Sequence, residues 1–334
     1  MKRLFILIIL LLTSSVIYGD IQNNCNEPIE KVIPKIINEP NRINVCTKND
    51  FYINASYIYW KVDTDNNVPA DDNFTLGRID YRTAQRYSSK YKSGLKLGAG
   101  YAFDKTNWEV NFDYTRFHST IQNDVSTTGS YVDYWGITGN TFQRSLTTFE
   151  VEYDMFNLVL SKPILVGRYL SFTPGAGLKG GFLDMDYTNG TIPYSSDSWL
   201  IGPKFLMNIN WEMSHNIRFI TNLNGSVLFQ KFTDVDMDSS SKFYTDNSYN
   251  QIAPNIGSQL GLGWGKFLDK RKLHLDFFAG WELNYYWNQN TIRRLISSDY
   301  NNITVGPNSA PSTGNTSNGD LWLTGLTVTG RFDF

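Results

Sequence analysis

The feature that most constrains the fold is an alternation of apolar and polar residues that recurs along the chain to its last residue. In 273–287 every odd position is apolar or aromatic, and the even positions are mostly polar or Gly. A helix would scatter these residues around its circumference, so a period of two predicts a strand with one apolar face. The segment 108–115 repeats the pattern, and 320–334 carries it to Phe334.

The same alternation predicts about ten strands in all. They cover 51–62, 93–103, 108–115, 147–160, 169–182, 199–212, 217–230, 254–264, 273–287 and 320–334. The alternation changes phase near Met155, which predicts a β-bulge at that point. If 74–87 also paired, the count would rise to twelve.

Longer and shorter connections alternate along the chain, and this alternation distinguishes a membrane barrel from a β-sandwich. Long polar connections follow the odd strands, at 63–90, 119–146, 233–251 and 290–319, with one of medium length at 184–198. Short turns follow the even strands, at 104–107, 161–168, 214–216 and 266–272. This pattern is typical of a transmembrane barrel with both termini periplasmic. The sequence therefore predicts an all-β fold, a closed antiparallel transmembrane β-barrel with long extracellular loops and short periplasmic turns, in the outer membrane of a Gram-negative-type bacterium.

The first 50 residues precede the barrel and predict export. Residues 1–19 combine a basic start with an apolar core and read as a signal peptide. We expect 20–50 to be an N-terminal periplasmic segment and 51–334 to be the barrel. Cys25 and Cys46 are the two cysteines and are candidates for a disulfide in an oxidising compartment. Two free thiols or intermolecular crosslinks are the alternatives.

Charged side chains fall on the strand face opposite the apolar one. The pore candidates are Lys96, Glu109, Asp113, Lys179, Lys204, Glu212, Arg218, Asp276, Glu282 and Arg331. A basic side chain facing lipid at mid-depth would cost ~2–4 kcal/mol, so these residues are predicted to face the lumen. They could pair and plug a narrow interior, or form rings that set ion selectivity. With about ten strands the interior is nearly filled by side chains, so any pore should be narrow.

Two motifs, one glycine-rich and one acidic, are better explained by a structural role than by ligand binding. The stretch 175–180 matches GxGxxG, but it lies inside a strand pattern with no following helix, so small residues inside a barrel are favoured over a nucleotide site. Asp234, Asp236 and Asp238 alternate as calcium ligands would. A calcium loop would need Gly at 239 and Glu at 245, so a solvated acidic loop is favoured.

Three histidines are present, and one of them lies where a barrel hydrolase would place its base. His118 is at the outer end of its strand, with Asp124 and Asp133 nearby in sequence, whereas His215 falls in a turn and His274 at the inner start of a strand. A base needs a nucleophile or a water-binding carboxylate within hydrogen-bond reach, and the sequence does not show that convergence. A rim histidine is therefore favoured, and no catalytic, cofactor or metal site is predicted.

Several blocks resemble a known family. They are FYINASYIYW at 51–60, LKLGAGYAFDKTNWEVNFDYTRFH at 95–118, YLSFTPGAGLKGGFLD at 169–184, WLIGPKFLMNINW at 199–211 and FFAGWELNYYW at 277–287. They resemble the pore-forming outer-membrane proteins of Legionella and environmental chlamydiae, which are described as similar to the chlamydial major outer-membrane protein. The resemblance implies a porin-like function. With only two cysteines, the chain is not expected to take a disulfide-crosslinked envelope role.

The leading functional prediction is a porin-like channel for passive passage of ions or small polar solutes, with no cofactor. The alternatives are a non-conducting surface barrel acting as an adhesin or a structural envelope protein, and an outer-membrane hydrolase that uses His118. Lys+Arg number 30 and Asp+Glu 32, so no basic surplus supports nucleic-acid binding. The expected partners are outer-membrane lipid and the barrel-assembly machinery, for which Phe334 is the candidate assembly signal. A homo-oligomer stays open, because its contacts would use the same apolar outer face as lipid.

Overall fold

The computed structural model describes residues 50–65, 70–76, 79–85, 89–103, 108–133, 141–166, 169–189, 192–214, 216–239, 242–245, 248–268, 272–290 and 319–334. The chain divides into two compact units, Met1–Val32 and Ile33–Phe334, and all described residues belong to the second. The predicted signal peptide and the Cys25–Cys46 pair lie outside the described residues. Within those ranges, no helix is long and apolar enough to cross a bilayer.

The described residues form fourteen β-strands. They are β1 (Asp50–Thr64), β2 (Ala70–Leu76), β3 (Ile79–Gln85), β4 (Lys92–Phe103), β5 (Trp108–Asp133), β6 (Thr141–Ser161), β7 (Ile164–Leu165), β8 (Leu170–Asn189), β9 (Ile192–Ser214), β10 (Ile217–Ser239), β11 (Lys242–Thr245), β12 (Tyr249–Leu268), β13 (Leu273–Asn290) and β14 (Gly319–Asp333). The ten predicted segments correspond to the strands β1, β4, β5, β6, β8, β9, β10, β12, β13 and β14, and only 169–182 and 320–334 extend beyond their strands, by one residue each.

These ten strands close into an antiparallel ring. The order is β5-β4-β1-β14-β13-β12-β10-β9-β8-β6, and the β5–β6 pairing closes it. The first and last strands pair from Tyr52↔Asp333 to Thr64↔Leu321, so the C-terminal strand has a neighbour on each edge. The predicted closed ten-stranded barrel is confirmed. Residues 74–87 do not enter the ring, because β2 and β3 form a hairpin whose β2 pairs with the far end of β5.

The outer face carries a continuous apolar band next to one end of the barrel. On β10 its outward members run from Ile217 to Phe229, and on β9 from Met213 to Trp199. The end beside this band contains Phe334 and the tight β9–β10 connection, and we name it the turn end. Asn216 in that connection has φ of 67°, a left-handed conformation that Asn tolerates and that a two-residue hairpin favours.

Beyond the apolar band, the outer face of the barrel wall becomes polar and the inner face becomes largely apolar. On β6 the outward residues change from Phe156 below to Asp154 and Glu152 above, while the inward residues change from Asn157 to Met155. Pairing of β6 with β8 is continuous from Thr147↔Asn189 to Ser161↔Gly175. The predicted bulge near Met155 is therefore wrong. The apparent phase change arises because β6 continues beyond the apolar band. Its outward residues are apolar within the band and polar beyond it.

Several strands extend well past the band, at what we name the tall end. β9 and β10 have 23 residues each and β5 has 26, whereas ~9–11 tilted residues suffice to cross a bilayer. The predicted connections 119–146, 184–198 and 233–251 consequently consist largely of strand. The outward residues described there, such as Asp197 and Asp234, are polar, and this polarity suggested loops in the sequence.

Candidate functional site: the lumen and outer wall of the barrel

All ten side chains predicted as pore candidates lie on the inner faces of their strands. Successive side chains of a strand point to opposite faces. Each of these charged residues occupies an inward position of that alternation, while apolar residues of the same strand occupy outward positions. They form two groups along the barrel axis, one at mid-depth and one at the turn end. Their role in a pore stays a prediction.

The mid-depth group contains an ion pair that spans part of the lumen. Lys96 Nζ on β4 donates to Glu282 Oε1 on β13 at 2.5 Å, although two strands separate β4 from β13. Glu282 also accepts hydrogen bonds from Thr327 Oγ1 at 2.8 Å and from Asn284 Nδ2 at 3.0 Å. Lys96 Nζ lies 4.6 Å from the centre of the Trp60 ring. Both charges are therefore neutralised within the lumen.

Two further lysines at mid-depth are held by amides. Lys179 Nζ donates to Asn255 Oδ1 at 2.7 Å and lies 4.7 Å from the Tyr286 ring, on the opposite side of the lumen. Lys204 Nζ donates to Asn157 Oδ1 at 2.8 Å. Asn157 Nδ2 in turn donates to Asp113 Oδ2 at 2.6 Å, so one amide links a cation to an anion. These side chains cross the lumen rather than line an open passage.

The turn-end group is also paired. Arg331 donates twice to Asp333 Oδ1, at 2.9 Å from Nε and 2.6 Å from Nη2. His274 Nδ1 lies 3.0 Å from the other carboxylate oxygen of Asp333. The Arg331 guanidinium stacks on Tyr52 at 3.6 Å, and Arg218 forms an ion pair with Asp276. Glu109 and Glu212 face the same region of the lumen.

Nearer the tall end the lumen contains a buried polar cluster of Ser198, Gln230 and Gln289 and is otherwise filled mainly by apolar side chains, which we name the apolar core. It contains Ile58, Trp60, Val62, Phe117, Ile121, Phe149, Val151, Tyr153, Met155, Leu183, Met185, Tyr187, Leu200, Leu228, Phe232, Val235, Ala253, Tyr286, Leu321 and Leu323, all nearly or fully buried. Nine of the ten ring strands contribute to it. The barrel therefore has a packed interior at this level, like that of a soluble domain.

Aromatic contacts in the apolar core reach across the whole diameter. Tyr153 on β6 and Tyr286 on β13 are separated by four strands in either direction around the ring, and their hydroxyls lie 2.8 Å apart. Trp60 and Phe117 have ring centres 5.7 Å apart, and the Trp60 indole donates to Thr327 Oγ1 at 3.1 Å. A contact between diametrically opposite strands means that side chains from both walls meet at the barrel axis.

His118 lies on the outer wall, above the apolar band, and not at the mouth of the lumen. Its Nε2 is 3.0 Å from Asp154 Oδ2, and its Nδ1 is 3.8 Å from Glu152 Oε1. Tyr114 Oη donates to the other oxygen of Asp154 at 2.6 Å. The carboxylates noted in sequence, Asp124 and Asp133, belong to positions six and fifteen residues further along β5. Sequence reasoning missed Glu152 and Asp154 because they come from β6, and only the β5–β6 register brings them beside His118.

A row of carboxylates continues from His118 around the outer wall. Cross-strand register places His118 opposite Glu152, Glu152 opposite Asp184, Asp184 opposite Asp197, and Asp197 opposite Asp234. We name Glu152, Asp184, Asp197 and Asp234 the acidic row. Burial, together with the nearby Asp197, Glu152 and Asp186, raises the pKa of Asp184 to about 6 against a backbone hydrogen bond from Ser198. Like charges directly opposite destabilise a sheet.

The remaining motifs have structural roles within the described wall. Gly177 of the GxGxxG stretch lies on β8, where an added Cβ would come within 1.9 Å of the Leu158 carbonyl oxygen, so a side chain would clash with β6. Asp234, Asp236 and Asp238 lie on β10, not in a calcium loop. Phe334 pairs through its backbone with Phe51, and the two rings pack edge to face at 5.4 Å. Its role as an assembly signal stays a prediction.

Comparison with known proteins identifies a family. No curated protein sequence matches the chain. Among solved structures, the barrel is similar to the outer membrane protease OmpT from Escherichia coli, at 8% identity and a TM-score of 0.47 over 85% of this chain and 97% of that one. It is also similar to Neisserial surface protein A (11% identity, TM-score 0.30, 85% and 97% covered) and to the Pseudomonas putida toluene transporter TodX (7%, 0.29, 85% and 89%).

A family model extends the comparison to the whole barrel. The model described as Legionella pneumophila major outer membrane protein precursor matches residues 43–334. The match includes every described strand and all ten lumen-facing charges, and it confirms the family predicted from the sequence blocks. This chain belongs to the Legionella major outer membrane protein family and is a β-barrel of the outer membrane.

Proposed function

We propose that this barrel is a non-conducting surface protein, a structural or adhesive element of the envelope, that holds a tall β-wall outside the membrane. The observation that carries the proposal is the contact between Tyr153 and Tyr286, whose hydroxyls meet at 2.8 Å from diametrically opposite strands within the apolar core. A solute crossing the membrane through the lumen would have to displace this contact and the side chains around it.

The energetic argument is the cost of placing an ion in a dry, packed interior. Removing an ion from water into such an environment costs several kcal/mol even after relaxation. The members of the apolar core carry no charge themselves, and the hydroxyls of Tyr153 and Tyr286 already bond to each other. The lysines that reach it, Lys96 at Trp60 and Lys179 at Tyr286, are already bonded to Glu282 and Asn255. The charges below it, such as Lys96 and Glu282, are paired with one another and do not form free rings.

The tall end supports a role at the cell surface. Strands of 23 residues reach roughly 75 Å along their axes, about twice what a tilted crossing of the ~25 Å apolar band needs. The outer face of this extension is polar and acidic, at Glu152, Asp197 and Asp234, and suits water and not lipid. The inner face is packed by the apolar core, which makes the extension rigid enough to present a binding surface.

Surface labelling tests the position of the tall end. In a Cys25→Ser/Cys46→Ser background, Asp234→Cys should react with a membrane-impermeant maleimide on intact cells. Phe229→Cys is the matched control, because it lies on the same outward face of β10 but inside the apolar band, and it should stay unlabelled. Labelling of Asp234→Cys only after the cells are broken would contradict the proposal.

The second candidate is the porin-like channel, which the polar half of the lumen favours. Lys179 and Lys204 are held by amide oxygens of Asn255 and Asn157, contacts that a passing anion could exchange for its own. For passage, the Tyr153–Tyr286 contact would have to part. Ion flux into liposomes separates the candidates: the first predicts flux no greater than in protein-free liposomes, and the second predicts flux that Lys179→Glu and Lys204→Glu alter.

A further inference from the structure

Three potential metal ligands converge on the outer wall, just beyond the apolar band. His118 on β5 and Glu152 and Asp154 on β6 each offer one ligand atom, and these atoms lie within 4.8 Å of one another. His118 Nε2 and Asp154 Oδ2 are already 3.0 Å apart. Two ligands bound to one zinc ion at ~2.0–2.2 Å lie about 3 Å or slightly more from each other. The imidazole–carboxylate separation thus matches a shared ion.

Asp154 is already held in position to share an ion with His118. Tyr114 Oη donates to Asp154 Oδ1 at 2.6 Å, which fixes the carboxylate and leaves Oδ2 directed at the imidazole. Hydrogen bonds of this kind orient metal ligands and are as much part of a site as the ligands. Glu152 is about half exposed and contacts the other imidazole nitrogen, Nδ1, at 3.8 Å, so its side chain must rotate toward Nε2 to complete the set, over a separation of no more than 4.8 Å.

The donor types and the surrounding charge indicate which ion would bind. One imidazole nitrogen with two carboxylates suits zinc and similar first-row divalent metals, whereas magnesium and calcium prefer oxygen alone. The acidic row begins at Glu152 and continues through Asp184 and Asp197, so the local field attracts a cation. Arg116 is opposite Asp154 in register, but the polar contacts of Asp154 come from Tyr114 and His118.

We propose that His118, Glu152 and Asp154 form a binding site for a divalent metal ion of the zinc class on the outer wall of the barrel. His118 Nε2 and Asp154 Oδ2 are the first two ligands, and Glu152 supplies the third. The remaining coordination positions face solvent at the level of the lipid headgroups, so water or a phosphate oxygen completes the shell. This site does not depend on whether the lumen conducts.

Titration of the detergent-folded full-length mature barrel with Zn²⁺ tests the proposal. We expect one saturable site by calorimetry that chelator reverses and that millimolar Mg²⁺ does not displace. Co²⁺ should give the visible absorption bands of a bound N/O complex. His118→Ala and Asp154→Asn should abolish saturable binding, and Tyr114→Phe should weaken it about tenfold.

Glu150→Gln is the matched control. Glu150 lies on the same face of β6, two residues from Glu152, where it accepts a hydrogen bond from Thr120 Oγ1 at 3.0 Å and is not a ligand. It should bind Zn²⁺ as the unmodified chain does. Equal binding in His118→Ala, or displacement by Mg²⁺, would assign the cation to the acidic row alone and overturn the proposal. Absence of saturable binding would show that His118 is held by an ordinary ion pair, and Tyr114→Phe keeps the test available if His118→Ala fails to fold.

Discussion

The two halves of this barrel are built from the same strands but have opposite distributions of polar and apolar residues on their outer and inner faces. At the turn end the wall is apolar outside and polar inside, so Phe219 faces outward beside the inward Arg218. Beyond the apolar band the wall is acidic outside and apolar inside, so Asp184 faces outward beside the inward Leu183. The outer face follows the solvent around it, lipid or water. The inner face is polar beside the band and largely apolar beyond it.

The comparison shows that the lumen changes from polar to apolar inside the band and not at its edge. Trp60 belongs to the apolar core, yet its outward neighbour Tyr59 is still an exposed member of the band. The apolar core therefore begins within the membrane and continues above it. It closes the lumen where a channel would need to be open.

The largest effect is expected from a charge placed in the apolar core. Leu183→Lys would bury an ammonium with no partner and should destabilise the barrel by about 3–5 kcal/mol or prevent folding. Its neighbour Asp184→Lys faces outward into the acidic row and should be neutral or stabilising. Urea unfolding in detergent, or heat-modifiable migration on gels, measures both. Similar losses for the two variants would contradict the assigned faces.

A smaller effect is expected from the mid-depth ion pair. Glu282→Leu alone leaves Lys96 without its carboxylate and should cost about 2–4 kcal/mol, since Lys96 is partly exposed and can relax. Lys96→Met combined with Glu282→Leu should recover most of that loss, because a buried pair contributes little net stability. The unfolding free energies of the single and double variants form a mutant cycle. A double variant as unstable as the single one would show that the pair itself stabilises the barrel.

The hydrogen bond across the diameter should contribute less again. Tyr286→Phe removes one hydroxyl and leaves that of Tyr153 unpaired while keeping the ring, so we expect a loss of about 1–2 kcal/mol. Tyr285→Phe, its outward neighbour, is not suitable as a control because Tyr285 bonds Asp320. Tyr59→Phe, on the exposed outer face, is a better one and should change little. A loss in Tyr286→Phe no larger than in Tyr59→Phe would mean that the hydroxyls do not meet.

The smallest effect concerns pH and the acidic row. Burial and neighbouring carboxylates raise the pKa of Asp184 from 3.8 to about 6, so the folded barrel holds this proton more tightly than the unfolded chain. Its stabilising contribution is complete below pH 4 and disappears as the pH rises through 6. Asp184→Asn should therefore stabilise the barrel relative to wild type at pH 7 by on the order of 1 kcal/mol, and not at pH 4. Unfolding in chelator-treated buffer at both values checks this, and an equal difference at both would refute it.

The sequence predicted strands correctly where their apolar residues face outward. The prediction failed beyond the apolar band, where the outward residues are polar. The alternation of 273–287 with lipid outside identified a strand correctly. At the described outward positions of the strand extensions beyond the band, such as Thr120, Asp186 and Asp197, the residues are polar, so strand was mistaken for loop. The apparent phase change at Met155 had the same origin. A pattern search that allowed one inversion per strand would have found these extensions.

The inward position of the charges was predictable from the cost of facing lipid, but their pairing was not. Lys96 and Glu282 are far apart in sequence and on strands that do not touch, so only the closed ring brings them together. The apolar core was hidden for a related reason. Trp60, Tyr153 and Tyr286 read as strand residues, and nothing local shows that they meet at the barrel axis. His118 likewise needed the register of β5 on β6 to acquire its partners.

Single-channel recording of the mature protein in a planar bilayer, under an ion gradient, tests the central claim most directly. Insertion of the folded barrel is verified separately by heat-modifiable migration of the reconstituted sample. With Tyr153 and Tyr286 in contact across the lumen, we predict no discrete conductance steps at any moderate voltage. Reproducible steps with a defined reversal potential, moved by Lys179→Glu or Lys204→Glu, would contradict the closed lumen and establish the channel instead.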